Sequence, residues 1–353
     1  MKQMLDELRA LTKEINRPLK LMEVCGTHTV EIFRHGIRDV IPNNITLLSG
    51  PGCPVCVTSV RDVDAAIALA KIPGVTVTTF GDMMRVPGGT ESLLEARSEG
   101  ADVRVLYSPL DTLKLAQTES HRQFIFFGTG FETTSPLIAA SIAQAEKSGI
   151  QNVSVYAAFK LVPPALKALL DSPDVKVDGF ILPGHVSTII GQKPYEFVAT
   201  KYKKPSVITG FEAKEIIEGI LMIVRQIAEK RSAVEIQYRT VVRPEGNPRA
   251  VELLDRYFEP ADAYWRGIGV IPASGLKLRE QYAAFDANRR FNPPASEASE
   301  PELCSCGDIL RGVKIPTECP LFGTGCTPES PIGPCMVSTE GSCAAYYKYG
   351  NHF

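Results

Sequence analysis

The chain has 353 residues, with 38 Lys plus Arg set against 40 Asp plus Glu for a net charge of −2. That length suffices for two or three domains with cores of their own. So balanced a charge offers no field for nucleic acid or anionic lipid, and neither a nucleic-acid nor a membrane partner is expected. The opening Met1-Lys2-Gln3-Met4-Leu5-Asp6-Glu7 is charged and leads into no apolar signal core. The most apolar stretch, 216–228, is broken by Glu218 and Arg225. A soluble, cytoplasmic protein is expected.

The first predicted element is a helix over 2–15, in which Leu5, Leu8, Leu11 and Ile15 recur at three- and four-residue spacing to make one apolar face. Short β-type runs at 19–24, 45–48, 75–80 and 103–107 follow, separated by helical stretches such as 59–71 and 91–98. A second series has strands at 123–127, 153–156, 179–182 and 206–208, with helices at 135–147, 163–170 and 213–230. This alternation predicts parallel sheets covered on both faces. After Arg231 the rhythm becomes mixed, over 235–242, 248–257 and 278–285. A Pro/Ser/Glu-rich linker at 291–301 then leads into a Cys/Gly/Pro-rich tail. The reading is an α/β protein of two similar parallel-sheet domains facing a central cleft, 1–118 and 119–231, with a third α+β domain over 232–353.

Nine cysteines at uneven spacing, in a chain without an export signal, argue for metal, redox or catalytic use rather than a disulfide framework. Ligands in open α/β sheets bind beyond the carboxyl ends of the strands, and the predicted strand ends carry the chemistry here. They are Cys25-Gly26-Thr27-His28-Thr29, Gly50-Pro51-Gly52-Cys53-Pro54-Val55-Cys56, Gly81-Asp82-Met83-Met84, Gly128-Thr129-Gly130-Phe131-Glu132-Thr133-Thr134 and Leu182-Pro183-Gly184-His185-Val186-Ser187. Cys53 and Cys56, three apart at a helix start, can close a disulfide or chelate a metal, and the helix N-terminus favours thiolate. With Cys25 and His28 they could also complete a zinc site. Cys25 and His28 alone suggest a nucleophile with its base, or a soft thiolate ligand for ferrous iron. Glu132 reads as a capping carboxylate or a proton carrier. Asp82 and His185 sit beside Gly at strand ends, where a turn-forming role and a functional one fit equally. Thr129-Gly130-Phe131-Glu132 is echoed by Thr209-Gly210-Phe211-Glu212, which can be no more than a recurring strand-to-helix turn.

In the tail, Cys319, Cys326, Cys335 and Cys343 give C-x6-C-x8-C-x7-C. Four thiolates can hold a [4Fe–4S] cluster or a zinc ion, and structural zinc usually takes ligands two to four apart, so the wider loops favour the cluster. Cys304 and Cys306, just upstream, can add a ligand, form a redox pair with another thiol, or pack.

These motifs, taken together and in order, resemble the HypD family over nearly the whole chain, down to Cys335-Met336-Val337-Ser338 and Gly341-Ser342-Cys343-Ala344-Ala345-Tyr346-Tyr347. The resemblance implies a maturation factor for [NiFe]-hydrogenase, a redox-active assembly scaffold rather than a turnover enzyme, on which iron receives cyanide and carbon monoxide. It implies a [4Fe–4S] cluster on Cys319, Cys326, Cys335 and Cys343, and a bound Fe(II) shared between Cys25 and a HypC-type chaperone. Cyanide would come from a HypE-type donor, and the hydrogenase large subunit would be served indirectly. Cys53 and Cys56 would relay electrons, with His28, Asp82, Glu132 and His185 as iron-site or proton-handling groups. A low-pKa thiolate is expected at Cys25. An iron–sulfur-dependent protein disulfide reductase and a zinc-stabilised binding module are the alternatives.

Overall fold

The computed structural model describes residues 1–350. Its strands, in chain order, are β1 (Leu19–Glu23), β2 (Ile45–Ser49), β3 (Val75–Thr79), β4 (Val103–Val105), β5 (Gln123–Gly128), β6 (Val153–Ala157), β7 (Gly179–Pro183), β8 (Ser206–Thr209), β9 (Val234–Ile236), β10 (Phe258–Trp265) and β11 (Gly269–Leu278). One parallel sheet runs β2-β1-β7-β8-β9 and a second runs β4-β3-β5-β6. β5 and β7 are buried almost throughout, as parallel strands covered on both faces must be. The protein is therefore α/β, with two parallel sheets and a cysteine-rich C-terminal region, as the alternation predicts.

The strands do not sort by chain order. β1 pairs with β7 through Leu21↔Gly179 and Met22↔Phe180 and carries β2 on its other edge, while β3 and β4 join β5 and β6. Each sheet thus draws strands from both sides of residue 118, and the first sheet continues past 231 to β9. Periodicity identifies a strand and its neighbouring helices, but the partner of an edge is chosen by packing that no local pattern encodes. The chain crosses from one sheet to the other between β2 and β3 and returns after β6.

The helix Lys2–Ile15 forms where its apolar stripe predicts. Leu8 is fully buried, with Met4, Leu5, Leu11 and Ile15 packed around it against Ile216, Ile220 and Ile223 of the helix Ala213–Ala228. The β10–β11 hairpin was not legible, because Pro260, Ala261, Ala263 and Gly275 are poor strand formers and a bulge interrupts the register between Ala261 and Ala263. It is held by burial instead. Trp265 is wholly buried, its Nε1–H donates to Ser274 Oγ at 2.7 Å, and its ring stacks on Phe131. Among the described residues no helix is long and apolar enough to cross a membrane.

Candidate functional site: two sulfur centres and a buried polar pocket

The loops that follow β1 and β2 are laid directly on each other. Gly26 N–H donates to Gly52 O at 2.9 Å, and a Cβ on Gly52 would run into the backbone of Cys25. Glycine at 52 therefore lets the Cys25 turn sit against the Cys53 turn. Cys25 is the N-cap of the helix Gly26–Arg34 and is buried. Cys53 and Cys56 form a disulfide, and both are buried.

The expected low-pKa thiolate at Cys25 is not what this environment produces. Burial, reinforced by the Glu340 carboxylate, pushes the thiol up to about 12, against the smaller lowering effect of the His28 and Thr27 backbone N–H groups. Glu340 comes from the C-terminal region and accepts a hydrogen bond from Thr27 Oγ1 at 2.7 Å. A side chain on Gly26 would collide with it. No local pattern around residue 340 marks this role, because its contact lies 313 residues away along the chain.

His28 is fully buried, and Nε2 lies 2.9 Å from both Gly210 O and Thr209 Oγ1. A carbonyl oxygen only accepts, so the Nε2–H tautomer donates to Gly210 and leaves Nδ1 as a bare acceptor, one with no partner among the described residues. Burial lowers the His28 pKa to about 4, so the imidazole is neutral near neutrality. His28 and His185 both stack on Phe211, with ring centroids 4.6 and 4.0 Å away. His185 is the more open of the two and lies within reach of the Glu340 charge. The Thr209-Gly210-Phe211-Glu212 echo thus holds both imidazoles in register, a role the repeat flagged without revealing.

Glu132 caps a helix, but not its own. Its Oε1 accepts from Val162 N–H at 3.0 Å, at the first turn of the helix Val162–Asp171. Its Oε2 is buried without a partner among the described residues. Tyr195 lies within electrostatic reach of Glu132 and Cys25, and sequence reasoning missed it. Nothing in Pro194-Tyr195 distinguishes it from a core tyrosine. Buried polar groups are normally satisfied, so Glu132 Oε2 and His28 Nδ1 stand out as two buried atoms without a hydrogen-bond partner among the described residues. Asp82 is exposed, and Ser338 Oγ donates to it at 3.2 Å. The strap 338–340 therefore bridges Asp82 and Thr27.

Burial raises the Glu132 pKa from 4.5 to about 7. The folded protein keeps a proton that the unfolded chain gives up across that window, so Glu132 makes stability fall as pH rises from 4.5 to 7. The expected effect is about 3 kcal/mol. Glu132→Gln should remove it, measured as the difference between wild-type and variant denaturation midpoints at the two ends of the window. Parallel pH dependences in the two proteins would refute the assignment.

The tail cysteines form a second centre. Cys304, Cys306, Cys319, Cys326, Cys335 and Cys343 line one cavity with Ile309, Phe322 and Met336. Ile332 N–H donates to Cys326 Sγ at 3.3 Å. The sulfurs of Cys306 and Cys335 lie 2.9 Å apart. Burial, reinforced by the neighbouring thiols Cys306, Cys304, Cys326 and Cys319, pushes Cys343 well above the thiol range. Thiols so arranged become thiolates only when a cation holds them. No three His, Cys, Asp or Glu among the described residues are drawn together to hold a single metal ion, while the donor chemistry is compatible with metal or iron–sulfur binding. The two centres touch: Cys56 Sγ lies 4.0 Å from Pro334 O, one residue before Cys335.

The family described as "HypD: Hydrogenase formation hypA family" matches residues 1–350. The chain is 49% identical over 341 residues to "Hydrogenase maturation factor HypD" of Azotobacter vinelandii, covering 95% of this chain and 90% of that one. It is 48% identical over 342 residues to the protein of that name in Rhizobium leguminosarum bv. viciae, covering 95% and 89%. Against the one in Escherichia coli (strain K12) it is 43% identical over 352 residues, covering 98% and 94%.

Proposed function

The chain belongs to the HypD family, a family of hydrogenase maturation factors, and from that premise we propose that it is the redox-active scaffold on which the iron of a [NiFe]-hydrogenase acquires cyanide and carbon monoxide. The observation that carries the reading is the contact between two sulfur centres, the Cys53–Cys56 disulfide beside Cys25 on one side and six thiols on the other, joined through Pro334. Iron is the cargo. Cys25 would hold it by exchanging its proton for the metal, as thiolate suits ferrous iron. Glu132 Oε2 and His28 Nδ1 would supply unpaired polar atoms, with Tyr195 within electrostatic reach of Glu132 and Cys25.

We read the cysteines of the tail as two groups. A sulfur 2.9 Å from Cys306 marks Cys335 as half of a dithiol pair, so the sequence-based set of Cys319, Cys326, Cys335 and Cys343 exchanges Cys335 for Cys304. Cys304, Cys319, Cys326 and Cys343 would hold a [4Fe–4S] cluster, which when bound takes up and hands on single electrons. Splitting an S–CN group into thiolate and cyanide consumes two electrons, and that is what the Cys53/Cys56 dithiol releases on closing its disulfide. The partners on this reading are a HypC-type chaperone sharing the iron, a HypE-type cyanide donor, and the hydrogenase large subunit indirectly. Burial of Cys53 and Cys56 disfavours the alternative of a reductase acting on external protein disulfides.

Infrared spectroscopy on the protein purified anaerobically with its partners tests this. Bands of iron-bound cyanide and carbon monoxide are expected, and they should vanish from the Cys25→Ala complex. A loaded complex without such bands would refute the scaffold reading.

A further inference from the structure

One buried charge is unexplained by the chemistry above. Arg266 is 1% exposed, yet it carries a guanidinium with five donors in a fixed fork. Nε pairs with Glu300 Oε2 at 2.7 Å, Nη1 donates to Pro87 O at 2.9 Å, and Nη2 is buried with no partner among the described residues. Burying a cation with an unsatisfied donor is costly, and a side chain serving only to pin the 291–301 linker through Glu300 would need neither full burial nor a free Nη2.

Its position supplies the reason. Arg266 N–H donates to Val57 O at 3.0 Å, one residue beyond Cys56. The next residue, Gly267, has φ +68° and lies so close to Gly307 that a Cβ on either would strike the other's backbone. The residue is thus clamped between the segment carrying Cys56 and the segment carrying Cys304 and Cys306. Gly307 directly follows Cys306, which lines the tail cavity with the other five cysteines, so the buried guanidinium belongs to the segment packed against that cavity's wall.

We infer that Arg266 is the fixed counter-charge of the tail sulfur centre, a positioning residue that sets the reduction potential of the cluster site. Each electron accepted there, from a low-potential one-electron donor of the iron–sulfur protein class, adds one negative charge and breaks no bond. In a low-dielectric surrounding a pre-placed cation favours that reduced state. Glu300 offsets part of the charge, and Pro87 O holds the fork in place.

The inference rests on the cluster reading, and the experiment separates the two. The anaerobically purified full-length protein is titrated with dithionite while the cluster's electron paramagnetic resonance signal is followed. Arg266→Gln should shift the reduction equilibrium at least tenfold toward the oxidised form, a fall of about 59 mV for a one-electron couple, and Arg266→Lys should recover most of it. Glu300→Gln keeps the cation and removes its partner anion, so the potential should rise. Should Arg266→Gln fail to fold, that rise decides the matter. Equal shifts in the Gln and Lys variants, no shift in either, or a fall in Glu300→Gln would overturn the role of Arg266 and leave the cluster standing. Wild-type protein with no iron and no acid-labile sulfide would overturn both.

Discussion

Cys25→Ala is expected to abolish iron retention by the complex with a HypC-type chaperone while leaving the visible absorption of the tail cluster intact. The two sites are built from different parts of the fold. Cys25 is positioned by β1 and by the Gly26–Gly52 backbone bond, whereas the six tail thiols surround a cavity of their own. Their link near Cys25 is the Thr27–Glu340 hydrogen bond, which does not involve the Cys25 side chain. Removing one buried sulfur should cost on the order of 1 kcal/mol, typical of a conservative truncation. Iron should fall by the cargo ion alone, read by metal analysis of the chaperone complex alongside its visible spectrum. Simultaneous loss of cargo iron and cluster absorption would contradict the division into two centres.

Much of this division was readable before any fold was known, because strand ends in parallel sheets collect chemistry and the motif residues sit at those ends. The helix Lys2–Ile15 and the strands β1 to β8 follow from apolar periodicity, and the placing of Cys25, Cys53, Glu132 and His185 just beyond strand ends follows from the same alternation. What was not readable depends on distant residues. Sheet membership was misassigned because β1, with β2 on its other edge, finds its partner in the distant β7, Leu21 facing Gly179. The state of Cys25 was misjudged because motif spacing reports a neighbouring His28, which as base or cation would favour thiolate, but not burial or Glu340, which win. Tyr195 was overlooked because a buried tyrosine is ordinarily core, and only its reach to Glu132 and Cys25 sets it apart. Phe211 was noticed only as part of a repeat, since stacking between two imidazoles exists only in three dimensions.

The cysteine arithmetic of the tail yields the sharpest test. Spacing alone groups Cys319, Cys326, Cys335 and Cys343, because regular intervals attract the eye and Cys304 and Cys306 fall outside them. The proposed grouping differs, since the Cys335 sulfur faces Cys306 at 2.9 Å and lies one residue beyond the Pro334 carbonyl that touches Cys56. Cys304→Ser should therefore strip the protein of about four irons and bleach its visible absorption, because a hydroxyl replaces one of four thiolate ligands. Cys335→Ser should keep both. It should instead break electron flow between the centres, so that dithionite reduces the cluster but no longer opens the Cys53–Cys56 disulfide, as read by alkylation and mass analysis. The two groupings make opposite demands: a Cys335→Ser protein without iron beside a Cys304→Ser protein with its full complement would restore the ligand set that spacing suggests.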